Sequence, residues 1–147
     1  MNTLNRHPTT SNESNSKSHK GLNIALWSGQ ILLAAMFGMA GFMKATQPID
    51  HLAAMLPFVT QVPEGLVRFI GVAELAGAAG LILPVALRIV PVLTPLAASG
   101  LVVVMVLAAG FHISRGEIGN VPINFILGSI AAFVAWGRFR NQRSSKN

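Results

Sequence analysis

Apolar and polar positions along this chain fall into blocks rather than alternating. A polar stretch rich in Ser, Asn and Thr covers residues 1–20, and an uncharged run, Leu22–Met43, follows and ends at Lys44. An interval punctuated by Pro48, Pro57 and Pro63 leads to a second run, Leu66–Leu83, closed by Pro84. A third run covers Ile89–Ile113 and a fourth Val121–Gly137. Each run is close to the roughly 20 residues that a helix needs to cross a hydrocarbon layer. A helix also satisfies its backbone polar groups internally, as that layer demands. The pattern therefore predicts an all-α fold: an integral membrane four-helix transmembrane bundle with a disordered N-terminal tail. The helices are expected over 22–43, 66–83, 89–113 and 121–137, within one transmembrane domain covering 21–140. Residues 1–20 carry too little apolar surface to fold and read as a cytoplasmic tail. Residues 141–147 read as a basic cytoplasmic tail.

The prolines refine these bounds. Pro84 is expected to stop the second helix, Pro91 to lie in the first turn of the third, and Pro95, one turn deeper, to kink it. Between Pro48 and Pro57, the stretch Ile49–Leu56 suits a short helix on the membrane surface. The first run is too long for the apolar region of a cleaved signal peptide.

Composition supports the membrane assignment: 52% of the 147 residues are hydrophobic and 11% charged, where soluble domains run nearer a quarter charged. The net charge of +6 sits mainly in tails and loops, which fits topology and anionic lipid rather than nucleic acid. With both termini cytoplasmic, the inner side carries eight cations: Arg6, Lys17, Lys20, Arg88, Arg138, Arg140, Arg143 and Lys146. The outer side carries three: Lys44, Arg68 and Arg115. The asymmetry sets that orientation. The chain has no cysteine and no tyrosine, which excludes a thiol redox pair, a thiolate metal site and a phenolic acid. Its four histidines, His7, His19, His51 and His112, show no metal-ligand spacing, so no metal is expected.

The most informative polar position is Glu74, in the middle of the second run. A carboxylate at the bilayer centre costs on the order of 3 kcal/mol or more. It therefore needs a partner, a proton or water. Gly71, Gly77 and Gly80 around it, with Gly38 and Gly41 in the first run, let helices approach closely. In the chosen orientation Lys44, His112 and Arg115 ring the outer rim, while Arg68 and Asn124 lie about one turn in. Lys44 ends its helix and can snorkel outward, while an ionised Glu74 would take Lys44 or Arg68 as its partner. The inner half holds few polar groups apart from Gln30, Thr94, Ser99 and Ser129. A one-sided constellation, Glu74, Arg68, His112, Lys44 and Asn124, thus forms the candidate ligand- or proton-binding set. Histidine is the side chain suited to proton exchange near neutral pH. The bland reading keeps Glu74 as a packing carboxyl and the cations as helix anchors.

Several stretches resemble the DoxX-like family of small bacterial membrane proteins. They are Ala40-Gly-Phe-Met-Lys44, the run from Arg68 through Gly71-Val-Ala-Glu74 and Gly77-Ala-Ala-Gly80 to Pro84, Thr94-Pro95, Phe111-His112, Arg115-Gly-Glu117 and Ala135-Trp-Gly-Arg138. The resemblance implies a four-helix protein of the bacterial inner membrane, associated with quinone-linked sulfur oxidation or with redox-stress partners. No cofactor follows from the residues themselves, and quinone is the one the resemblance suggests. Relatives that use cysteine pairs give no guidance for a chain without cysteine.

Three functions are consistent with these features. The first is a membrane partner or subunit of a quinone-linked or redox-stress system, with a polar outward-facing pocket ending at Glu74. The second is a small-solute or proton permease, formed as a homo-oligomer because four short helices enclose little volume. The third is an assembly protein without a ligand. The chain has too few reactive groups to carry out redox chemistry alone, so it reads as something other than a self-sufficient enzyme.

Overall fold

The structure is a computed structural model that describes residues 10–144, with side chains over 20–143. Its elements are α1 (Thr10–Thr46), α2 (Ile49–Ala53), a 3-10 turn at Pro57–Thr60, α3 (Glu64–Ala86), α4 (Leu93–Ser114), a 3-10 turn at Ile118–Asn120 and α5 (Val121–Ser144). Four of the helices have stretches long and apolar enough to cross a membrane: Lys20–Thr46, Glu64–Ala86, Leu93–Ser114 and Ile118–Arg143. They form a ring in which α1 packs on α3, α3 on α4, α4 on α5, and α5 returns to α1 over the slightest of the four interfaces. The expected all-α transmembrane bundle is the observed fold. One end of it carries the 47–63 connection and the α4–α5 turn (the loop end); the other carries the α3–α4 turn and the outer parts of α1 and α5 (the terminal end).

Side-chain placement is inverted relative to a water-soluble bundle. Met39, Phe69 and Phe125 face outward, 70%, 69% and 75% exposed, while Gln30, Lys44, Glu74, Thr94, Asn124 and Arg138 are buried. Between the polar levels lies an apolar core of Leu33, Phe37, Ala78, Leu101 and Met105. The β-branched run Val102-Val-Val104 is a weak helix former in water. In hydrocarbon, backbone satisfaction overrides that preference.

The bounds differ from expectation at each helix, for identifiable reasons. α1 is drawn from Thr10 rather than Leu22; of the tail expected over 1–20, residues 1–9 lie outside the described residues. α3 continues through Pro84 to Ala86, with Pro84 buried inside it instead of ending it. α4 starts at Leu93, so Pro95 falls in its first turn, where a missing N–H costs nothing, and no kink is needed there. Pro91 belongs to the preceding turn, which contains Arg88 and Val90 at φ 57° and 43°. α5 runs to Ser144 rather than Gly137, carried by Arg and Gln, both good helix formers. The segment expected as a surface helix over Ile49–Leu56 is helical only to Ala53. It buries Leu52 with Val59 and Val67, so the loop forms a small core of its own over the bundle.

The α1–α3 crossing is set by two glycines. A Cβ on Gly41 would lie 2.7 Å from the Gly71 carbonyl oxygen, and one on Gly71 would lie 2.7 Å from the Ala45 nitrogen and 2.9 Å from the Lys44 Cβ. Gly77 and Gly80 face Leu101 and Ala97 of α4 with equal closeness, whereas Gly38 has ordinary room, its nearest neighbour being Ala78 Cβ at 3.8 Å.

Gly71→Ala is therefore expected to lower stability by about 1–3 kcal/mol through overpacking against backbone. Gly65→Ala, which meets nothing within 4 Å, should leave stability unchanged or raise it slightly. Thermal unfolding of the two variants in the same detergent checks this; equal stability would show that the α1–α3 backbones have room to separate.

Candidate functional site

Glu74 is the eleventh residue of α3 and is 3% exposed. Lys44, the third residue from the end of α1, turns inward instead of snorkelling. Its Nζ donates to both carboxylate oxygens of Glu74 at 2.7 Å, and Lys44 itself is 8% exposed. Gly71 makes this path available. It lies one turn nearer the loop end than Glu74, and the stem of Lys44 passes over it where a side chain would stand. The pair is thus built by sequence spacing: glycine and glutamate three apart on α3, glycine and lysine three apart on α1.

Arg68, half-buried on the same helix, does not reach Glu74. Its Nη1 donates to the carbonyl oxygens of Lys44 and Gln47 at 2.7 Å each, while Nε and Nη2 bond Glu64 Oε1 at 3.2 and 2.9 Å. A cation there satisfies orphan carbonyls and complements the negative end of the α1 dipole. Arg68 therefore holds Lys44 in position from behind.

His112 belongs to a separate cluster at the loop end. Its Nδ1 lies 2.7 Å from Glu117 Oε2, and Arg115 Nε lies 3.4 Å from Glu117 Oε1. An ionised carboxylate only accepts, so the His112 Nδ1 carries the hydrogen. Phe58 and Phe111 set their edges or faces against the imidazole at centroid distances of 6.5 and 5.9 Å. Because Phe58 belongs to the Pro57–Thr60 turn, the cluster ties α4 to the loop that covers α1 and α3. The bond from His112 holds the Glu117 carboxyl below its ordinary value of 4.5.

Asn124 is buried on α5, and its Nδ2 has no hydrogen-bond partner. Helix register relates it to the ion pair. On α1, Gly29 faces Ile130 and Val134 of α5, and Gly41 faces Glu74 of α3; on α4, Met105 faces Gly128 and Leu101 faces Gly77. The route through α4 sets Asn124 about a turn and a half to the loop side of Glu74, and the route through α1 about a turn to its terminal side, so the two bracket the Glu74 level. Of the five residues expected to act together, Lys44 and Glu74 are joined, Arg68 supports them from the α1 terminus, Asn124 is buried on another helix without contact to them, and His112 stands apart at the rim.

A second buried polar group appears where few were expected. Gln30 donates from its amide to the Leu81 carbonyl oxygen, in the stretch of α3 opened by Pro84. It accepts from Arg138 Nε at 2.6 Å. Arg138 also donates to Asn23 Oδ1 at 3.2 Å and lies 5.2 Å from the Trp27 ring centroid. From the sequence, the fourth helix is expected to end at Gly137, and Arg138 counts only among the inner-side cations. The overlooked signal was Gln30, an uncompensated amide in an otherwise apolar run.

A family model described as the DoxX-like family matches residues 28–134. No curated protein and no solved structure matches the chain. The family match spans most of the sequence, so the chain belongs to the DoxX-like family. With its four apolar helices it is an integral membrane protein.

The Glu117 carboxyl predicts an acid limb in stability. A depressed folded-state value means that the contribution is present above the ordinary 4.5 and lost as pH falls through the lower folded-state value. Glu117→Gln should lower thermal stability above pH 4.5 and flatten its fall on acidification below that value, so that variant and wild type converge at low pH. A limb of unchanged slope in Glu117→Gln would assign it to another carboxyl.

Proposed function

We propose that this member of the DoxX-like family is a membrane partner or subunit of a quinone-linked or redox-stress system. In this reading it lies in the bacterial inner membrane with both termini cytoplasmic, and the loop-end half of the bundle receives a carbonyl-bearing head group whose path ends at Glu74. The observation that carries the reading is the buried, unpartnered Asn124 amide on α5, within about a turn and a half in depth of the Lys44–Glu74 pair. A buried donor without an acceptor costs about 1–3 kcal/mol. A head-group carbonyl entering from the loop end would remove that cost.

The residues divide the work chemically. The Asn124 Nδ2–H and the Lys44 ammonium supply donors for carbonyl oxygens. Glu74, already hydrogen-bonded to Lys44, supplies a group that exchanges a proton with a bound head group. A bound quinone would supply the two-electron chemistry that the cysteine-free chain lacks. The electrons would come from or pass to a partner protein, and the loop core over α1 and α3 offers a surface on that side.

The apolar layer below the ion pair favours this reading over a permease. Leu33, Phe37, Ala78, Leu101 and Met105 are all nearly inaccessible. They fill the core from about the level of Glu74 to that of the Gln30–Leu81 bond, levels that are roughly 10 Å apart along α3. A polar path that ends on such a layer suits a binding site rather than conduction, and a homo-oligomer is not needed to complete it.

Mass spectrometry of lipid extracts from mildly purified protein tests the proposal. Wild type should retain a quinone, and Asn124→Leu should retain about tenfold less while remaining folded. Wild type without quinone, or equal retention in Asn124→Leu, would reject the site.

A further inference from the structure

We infer that Arg138, at the terminal end of the α1–α5 seam, is a binding site for a phosphate oxyanion, supplied by the head group of an anionic phospholipid. This site is separate from the loop-end site and does not rest on the quinone reading.

Arg138 is 8% exposed, yet among the described residues no carboxylate neutralises it. Among the described side chains the acids are Asp50, Glu64, Glu74 and Glu117. Glu64, Glu74 and Glu117 are engaged with Arg68, Lys44 and His112 respectively, and Asp50 lies in α2 at the loop end. The partners that Arg138 does have, Gln30 Oε1 and Asn23 Oδ1, are neutral. Its Nη2 is buried without any partner. A guanidinium is the side chain suited to bidentate recognition of phosphate, and a charge-assisted bond is about twice as strong as a neutral one.

A second orphan lies at the same depth. Thr94 Oγ1 is fully buried without a partner. Gly80 faces Ala97, which sets Thr94 level with the α3 segment beside Leu81, the residue that Gln30 bonds. Three helices thus bring polar groups to this end of the core, and two of those groups lack partners.

The surroundings identify the source of the anion. Trp27 and Trp136 both lie at this end, each with an arginine over its ring, Arg138 at 5.2 Å and Arg140 at 5.5 Å. Indoles collect at the head-group level of a bilayer, where lipid phosphates lie. Arg88 and Arg143, both exposed, add positive field at the same end. The residues that bond Arg138 all lie on α1, so Asn23, Trp27, Gln30 and Arg138 line the slightest interface of the ring. A lipid at that seam would neutralise Arg138 and fasten the end of α5 to α1.

Native mass spectrometry and thermal unfolding test this on the full chain in detergent. The additives are phosphatidylglycerol, phosphatidylcholine and inorganic phosphate. Phosphatidylglycerol should bind and raise the unfolding temperature, and phosphatidylcholine, whose phosphate charge is offset by choline, should do so less. Arg138→Gln should reduce phosphatidylglycerol retention about tenfold or more, whereas Arg140→Gln, which removes an exposed cation beside Trp136 and leaves the Arg138 contacts in place, should retain it. Should Arg138→Gln not fold, Arg138→Lys keeps the charge without the planar fork and should still reduce retention. Inorganic phosphate matching the lipid's effect would keep the oxyanion site but overturn the lipid as its source. Equal loss in the Arg138 and Arg140 variants, or none in either, would overturn the site. Because retention of a quinone is read separately, failure here leaves the loop-end reading distinguishable.

Discussion

A lysine and a glutamate that meet with both carboxylate oxygens at 2.7 Å inside a membrane bundle constrain most of what surrounds them. Neither charge can face hydrocarbon alone at acceptable cost. Each therefore fixes the rotation of its own helix: α1 must present Lys44 inward, and α3 must present Glu74 inward. Meeting also requires the backbones to come close, which Gly41 and Gly71 allow, and requires the lysine stem to pass where Gly71 has no side chain. Arg68 then closes the same corner by bonding the last carbonyls of α1. One electrostatic requirement thus sets the crossing, the register and the capping of the most extensive helix pair in the molecule.

The bundle has a second polar level at its other end, and the two are built differently. At the loop end charge meets charge. At the terminal end a guanidinium rests on amides and an indole, with its remaining donor unsatisfied. The layer between them, formed by Leu33, Phe37, Ala78, Leu101 and Met105, is apolar and nearly inaccessible. This separation gives the protein two buried polar levels with an apolar layer between them, which is the basis for proposing recognition from each side rather than passage between sides.

Much of this fold was legible in the sequence, because membrane helices announce themselves by length and lack of charge. Four spans and the position of Glu74 within the second were legible from residue types alone; of the glycines singled out, Gly41, Gly71, Gly77 and Gly80 lie at close approaches and Gly38 does not. The direction of long side chains was not legible. Lys44 at a helix end is equally compatible with snorkelling outward and with bending inward; only the presence of Gly71 beneath its stem decides, and that is a contact between residues far apart in the chain. Arg138 was misread for a related reason. Its position after Gly137 looks like the start of a tail, yet α5 continues as a helix and turns it toward Gln30. Proline positions also misled: Pro84 lies buried within α3, and Pro95 falls in a first turn because α4 starts later than its hydropathy suggests. Arg68 and His112 were correctly placed near the loop end, but their partners, backbone carbonyls and Glu117, are set by local geometry that charge counting does not see.

The central claim is that Lys44 and Glu74 act as one unit on which the α1–α3 pair depends. A double-mutant cycle measures it directly, with unfolding of wild type, Lys44→Met, Glu74→Leu and the double variant followed in one detergent. Removing either partner leaves a buried unpaired charge and should cost about 3–5 kcal/mol, whereas replacing both by apolar side chains should recover most of that loss. If the two single losses are small, or simply add in the double variant, the residues are not coupled and the account of this crossing is wrong.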